Sequence, residues 1–377
     1  MKPILCLLLA LTAALSCSGC GWMEGSYVSV QPHQVGYSWE EQDESVVSGY
    51  SELRSAVTGL IDAGTEEAVL TLSDYPEEEA CKDMDAVISY AKSIYPVGAY
   101  AVSEIQYEYG QNLLSVKITY RRSKAQIDRI RTVRGIDGAK DAIARSLANF
   151  DDSLVLQITG FTEMDVVQYV ADYASAHPDV VMELPQVTAQ IYPQQGTVRI
   201  LELQFTYQTS RDSLRAMYTQ VRQVFSSARL YVTADADDGV KLNQLYGFLM
   251  ERFDYTIQTS ITPGYSLLCY GVGDSRAFAQ VYAAMCAQAG LEAMTVSGTF
   301  GGESRFWNIV RDGDTYYHVD LLECARRGSY QELSDEEMTE YVWDYSAYPV
   351  CGVPQEGQTE PTETTAPVET GPTESAE

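Results

Sequence analysis

The run GVGDSRAFAQVYAAMCAQAGL, residues 271–291, decides how the last third of this chain folds. From Ser275 onward its apolar residues Phe278, Ala279, Tyr282, Met285, Cys286 and Ala289 recur at the spacing of a helix with one buried face. Gly271-Val272-Gly273 turns the chain into that helix, and Gly290 ends it as a C′ glycine does. Downstream lie ESRFWNIV (303–310) and DGDTYYHVDLL (312–322). Strands are predicted over Met294–Gly298, Phe306–Val310 and Tyr316–Asp320, with Asp312-Gly313 as the hairpin signal between the last two. Upstream, Leu267–Tyr270 reads as a strand and Thr259–Ser266 as a loop. A helix from Val240 to Phe253 buries Leu242, Leu245, Tyr246 and Leu249.

In this order and spacing the three blocks resemble the core of a transglutaminase-like domain, a family that shares the papain-like Cys-His-Asp arrangement. There the blocks usually read G-x-C-x-x-Y/F-A, H-A-W-N and H-V-D. The resemblance therefore sets Ser275, Arg305 and Asp320 at the three catalytic positions. It implies a papain-like α+β fold with the nucleophile at a helix N-terminus, where negative charge and hence a thiolate is favoured. The family's histidine takes the thiol proton and returns it to the leaving amine, while the aspartate holds the ring.

The residues present do not supply that chemistry. Ser275 carries a hydroxyl far less acidic than a thiol and depends on a base. Arg305 stays protonated at any ordinary pH and cannot be that base. Asp320 has no imidazole to orient. The expectation is a pseudoenzyme in which Arg305 donates a forked pair of hydrogen bonds to Asp320, with Ser275 close enough to join. Trp307, Asn308 and His318 are the candidates for lining a remnant cleft, with core packing as the competing reading of Trp307 and Asn308. His318 lies two residues from Asp320 on one strand, faces the same side, and is the alternative base for Ser275. Cys269, as a displaced nucleophile, precedes the turn and misses the helix N-terminus. Gly273-Asp274-Ser275 also mimics the opening of a GDSL esterase, a motif that belongs near the start of a different fold.

At 377 residues the chain has room for two or three domains, each with its own core. Asp and Glu number 53 against 25 Lys and Arg, which argues against a nucleic-acid partner, since phosphate binding needs clustered cations. Residues 1–20 read as a lipoprotein signal peptide: Lys2, an apolar run from Ile4 to Leu15, then Ser16-Cys17-Ser18-Gly19-Cys20. The run is shorter than the roughly 20 residues of a spanning helix. A cysteine after small residues resembles the lipobox, in which that cysteine is lipidated and becomes the new N-terminus. Cys20, preceded by Gly19, is the better match and Cys17 the alternative. The expected location is the extracytoplasmic face of the cell membrane, held through the N-terminal lipid. No cofactor or metal is expected, because Cys81, Cys269, Cys286, Cys324 and Cys351 lack C-x-x-C spacing. Cys286 falls at core spacing on its helix, and Cys269, Cys324 and Cys351 are free to pair.

Residues 21–49 are polar and read as a flexible tether. The end, 353–377, is built almost entirely of Pro, Thr, Glu, Gly and Ser, and is expected to be a disordered acidic tail. Between them runs an internal repeat with a period of about 86 residues. Val57 and Ile61 match Ile143 and Leu147, and Val69–Leu72 match Val155–Ile158. Lys117–Tyr120 with Ser123 match Gln204–Tyr207 with Ser210. Each copy predicts a helix, a strand, a second helix, a hairpin and a third helix capped by Ser123 or Ser210. The fold class is thus α+β: repeat 1 over 50–137, repeat 2 over 138–228, and a transglutaminase-like domain over 229–352. Strand tyrosines such as Tyr107, Tyr109, Tyr120 and Tyr207 offer either a binding face or cross-strand packing. The expected ligands are peptides, peptidoglycan stems or a surface protein. An active amide hydrolase or transferase using unusual residues, and a plain structural spacer, are the rival readings.

Overall fold

The computed structural model describes residues 46–256 and 263–354. Cys17 and Cys20, most of the expected tether and nearly all of the acidic tail lie outside these residues.

The first repeat begins earlier than its sequence pattern suggests. β1 (Val46–Val47), inside the expected tether, pairs in parallel with β2 (Glu67–Leu72), and two residues are too few to show alternation. Between them α1 (Tyr50–Ala63) buries Leu53, Val57 and Ile61 and stops at Gly64, which takes the left-handed conformation a C-cap needs. α2 (Glu77–Ser93) opens on Glu77, Glu78 and Glu79, where the helix dipole favours acids. After α3 (Pro96–Ala101), β3 (Val102–Gly110) and β4 (Leu113–Tyr120) form the expected hairpin. Its turn residues Gln111 and Asn112 both have positive φ, which suits the twist of the strands. The sheet runs β1-β2-β4-β3. Ser123 then opens α4 (Lys124–Ile127) with a capping box to Gln126, but the helix lasts one turn.

The second repeat has the same topology. β5 (Arg131–Arg134) pairs in parallel with β6 (Ser153–Thr159), and α5 (Gly135–Ala148) lies between them. After α6 (Val166–Ala176), the hairpin β7 (Gln186–Tyr192) and β8 (Val198–Thr206) completes the order β5-β6-β8-β7. A border between 137 and 138 therefore cuts α5, and the second unit starts at its edge strand. Ser210 caps α7 (Arg211–Tyr231), whose buried residues Leu214, Val221, Phe225 and Ala228 join the core of the third domain. A border at 228 cuts that helix too.

The strand tyrosines do not make a free face. Tyr107 donates to Asp85, Tyr120 to the Leu60 and Thr65 carbonyls, and Tyr109 to Asn112. The Tyr207 hydroxyl is buried and burial raises its pKa.

In the third domain α8 (Asp238–Arg252) is followed by β9 (Asp254–Tyr255), which pairs in parallel with β10 (Val272–Gly273). The apolar run Leu267–Tyr270 is helical rather than extended: it ends α9 (Pro263–Tyr270), which buries Leu267 and Leu268. α10 (Ser275–Gln288) packs on a sheet of β11 (Ala293–Phe300), β12 (Glu303–Asp312) and β13 (Thr315–Val319), after which comes α11 (Leu321–Arg327). β14 (Tyr341–Val342) adds to the far edge, giving the order β13-β12-β11-β14. One face of the sheet meets α10 through Val310 and Val319. The other carries Val296, Trp307 and Ile309 and is covered by Met338, Tyr341, Trp343 and Cys351. Cys269, Cys324 and Cys351 do not pair; all five described cysteines are free thiols, and Cys286 is buried as its helical spacing predicts. No helix among the described residues is long and apolar enough to cross a membrane.

Candidate functional site

Ser275 is the first residue of α10, behind the N-cap Asp274, whose carboxylate accepts from the Ala277 N–H. The Ser275 hydroxyl accepts a hydrogen bond from the Phe306 N–H at 3.3 Å. This ties the helix start to β12 next to Arg305. Among the described residues the hydroxyl meets no carboxylate or imidazole, so Ser275 does not join the pair expected beside it.

Arg305 leaves β12 toward Asp320. Its Nε donates to Asp320 Oδ2 at 2.7 Å and its Nη2 to Oδ1 at 2.8 Å, a forked ion pair. Asp320 has a second task as the N-cap of α11, accepting from Leu322 N–H at 3.0 Å and Glu323 N–H at 3.1 Å. A fifth donor, the Tyr341 hydroxyl, reaches Oδ2 at 2.9 Å. The Asp320 side chain is 1 % exposed and that of Arg305 16 %. Burial presses the Arg305 guanidinium downward, but the hydrogen bonds and charge of Asp320 outweigh it and hold the pKa above its ordinary value. Tyr341 is pushed far up by burial and by the Asp320 charge, so its proton stays on oxygen.

Trp307, Asn308 and His318 do not line a cleft: all three are fully buried. Asn308 Nδ2 donates to the Ala279 carbonyl of α10 at 2.9 Å and to that of Met294 at 3.2 Å. Trp307 Nε1 donates to His318 Nδ1 at 3.0 Å, and His318 Nε2 meets Asp335 Oδ1 at 2.8 Å. Both ring nitrogens are thus engaged away from Ser275, which removes His318 as its base. Burial lowers the His318 pKa, with Asp335 opposing. A neutral ring whose Nδ1 accepts must carry its proton on Nε2, facing Asp335.

His318, Asp335 and Cys351 also bring possible metal-ligand atoms within 4.8 Å of one another. The donor set does not fit a cation. Coordination through Nε2 would leave Nδ1 to carry the proton toward the Trp307 N–H, whereas a ligating histidine donates its other N–H to an acceptor. Burial pushes the Cys351 thiol up to about 12, away from the thiolate a metal needs. The cluster is a satisfied part of the core.

The family model described as the transglutaminase-like superfamily matches residues 226–321. Residues 226–321 form a transglutaminase-like domain. The match starts within α7, so this transglutaminase-like unit takes in the end of the helix that closes the second repeat. Three solved structures are similar in part. A TGase shares 10% identity over 45% of this chain and 50% of its own, with a TM-score of 0.25. A putative cysteine protease from Cytophaga hutchinsonii shares 11% over 40% of this chain and 65% of its own, at 0.25. A putative protease from Parabacteroides distasonis shares 10% over 73% of this chain and 41% of its own, at 0.22. The chain thus spans less than two thirds of the length of each. Among curated proteins none matches this chain.

Three residues of the last third of the chain escaped the sequence reading. Tyr341 and Asp335 come from an irregular segment without periodicity and gave no signal. Gln280 did give one, as the lone amide among the buried Ala277, Phe278, Ala279, Val281 and Tyr282 of α10.

Proposed function

We propose that this chain is a lipid-anchored surface protein whose transglutaminase-like domain binds a peptide, cell-wall or protein ligand without transforming it. One observation carries the reading: the position where the family keeps its base holds Arg305, and that guanidinium is locked onto Asp320. Five donors occupy the Asp320 carboxylate, leaving it engaged in structure rather than in orienting an imidazole. Ser275 has no described proton acceptor, and an unactivated hydroxyl is a poor nucleophile. The first repeat serves as a spacer between membrane and ligand, in keeping with Tyr107, Tyr109 and Tyr120 turned to internal partners.

The test is an assay of peptide-amide hydrolysis and amine incorporation by the full chain, run beside Ser275→Ala. No turnover above background is expected in either. Turnover lost on that substitution would overturn the binding reading. For the anchor, radiolabelled fatty acid should enter the wild-type chain and not Cys20→Ala. Label that persists there and vanishes in Cys17→Ala moves the anchor to Cys17, and an unlabelled wild-type chain removes it.

A further inference from the structure

A groove of about 730 Å³ runs between the end of the second repeat and α10. One wall is the last turn of α6 and its exit, with Ser175, His177 and Asp179; the other is one face of α10. Ala283, Ala284 and Ala287 keep that wall low, while Met294, Phe306 and Tyr348 complete an apolar floor. Its volume lies in the range of ligand sites. From Arg276 to Ala287 the helix advances about 16 Å, the reach of four to five extended residues.

Two side chains on this wall keep their polar head groups open to the groove. Gln280 is 8 % exposed and lines the groove, yet its amide has no hydrogen-bond partner among the described residues. Its head group opens on the groove, where it is free to meet a ligand that both donates and accepts. Arg276, one turn earlier, lies over the Phe306 ring at 5.6 Å and, among the described residues, donates to Ser175 Oγ at 3.3 Å. No carboxylate among the described residues pairs with it, in a chain with more than twice as many acids as bases. Both residues also border a smaller cavity of about 120 Å³ on the α9 side, so the polar heads stand at a junction of open space.

From this pair we infer that the groove binds the C-terminal end of an extended peptide. The terminal carboxylate takes two hydrogen bonds from Arg276. The adjoining main-chain amide pairs with Gln280, which neighbours Arg276 at the i, i+4 spacing of about 6 Å. The rest of the peptide lies along the alanine wall. Asp172 and Asp179 stand farther along the groove, Asp179 holding Gln288 at 2.9 Å, and repel a second carboxylate there. The ligand is therefore acidic at its terminus and neutral or basic behind it. This rests on the binding reading above and names its site.

The test uses the immobilised full chain and a random library of N-acetyl tetrapeptides with free C-terminal carboxylates. The same sequences as C-terminal carboxamides, half of them with an internal Glu, form the second arm, and retained peptides are read by mass spectrometry. Free acids should be retained about tenfold over amides, the worth of one charge-assisted contact. Arg276→Gln should remove that preference, and Gln280→Leu should weaken retention of both arms. Equal retention of acids and amides, internal-Glu amides held as well as free acids, no retention at millimolar peptide, or a preference unchanged in a folded Arg276→Gln would each overturn the site. Should Arg276→Gln fail to fold, the two arms on the wild-type chain still decide. Cleavage of retained peptides would count against the binding reading alone, leaving the site standing.

Discussion

Replacing Arg305 by Met leaves the Asp320 carboxylate buried without its cation. The side chain of Asp320 is 1 % exposed, so water cannot take over, though Leu322, Glu323 and Tyr341 still donate to it. Breaking a buried ion pair from one side costs about 3–5 kcal/mol. Three surviving donors and the 16 % exposure of the Arg305 side chain put this case at the lower end, about 3 kcal/mol, or a hundredfold in the folding equilibrium. Asp320→Asn removes the charge but keeps an oxygen to cap α11, so the double variant Arg305→Met/Asp320→Asn has neither a stranded charge nor an open helix end. It should be only about 1 kcal/mol less stable than wild type, giving a coupling of at least 2 kcal/mol. Urea unfolding followed by tryptophan fluorescence reads the right region, because Trp307 and Trp343 both belong to the core beside the pair. A cost below about 1 kcal/mol for Arg305→Met, or additive effects in the double variant, would show that the pair does not anchor the site.

Two further outcomes follow from the same face of the sheet. A methyl group on Gly298 would stand 2.2 Å from the Val342 carbonyl oxygen and 2.7 Å from the Trp307 ring, so Gly298→Ala should cost about 3 kcal/mol and loosen β14. Limited proteolysis should then cut near Tyr341 faster than in wild type, and unchanged stability and cleavage would contradict the close approach. His318 is neutral in the fold and has a pKa lowered by burial, so below an ordinary pKa of 6.5 the unfolded chain binds the extra proton. Its stabilising effect is therefore full above that pH and is lost as pH falls toward the folded pKa. Urea midpoints at mildly acidic and neutral pH should diverge more for wild type than for His318→Gln; equal divergence in both would show the imidazole to be uninvolved.

Much of the fold was legible because it is periodic, and the failures lie where period is absent or ambiguous. α10 combines a clean apolar stripe with a glycine stop, two signals that agree, and the structure adds Asp274 as its N-cap. Leu267–Tyr270 offered four apolar residues in a row, which a strand and a buried helix turn share; packing of Leu267 and Leu268 into the core settles it as helix. β1 and β5 are short edge strands that owe their conformation to a neighbour rather than to their own pattern. The two closing helices show the same dependence. α4 stops after one turn because the chain must supply β5 to the next sheet, whereas α7 continues to Tyr231 because the third domain buries its apolar stripe.

In the site, residue chemistry was legible and accessibility was not. An arginine and an aspartate brought to one site can be expected to pair whatever surrounds them, and they do. Whether Trp307 and His318 face a cleft depends on what covers the sheet, and the cover comes from a segment with no pattern to read. Met338, Trp343 and Cys351 pack against one face, and the same segment delivers Tyr341 to Asp320 and Asp335 to His318. One stretch of chain thus both excludes water from that face and satisfies the polar groups left behind, which no partial covering would do without stranding a buried carboxylate or imidazole. On the α10 side Arg276 and Gln280 border a groove instead. The polar head groups still open to a ligand, those of Arg276 and Gln280, thus line the groove across α10 rather than the sealed face beside Asp320.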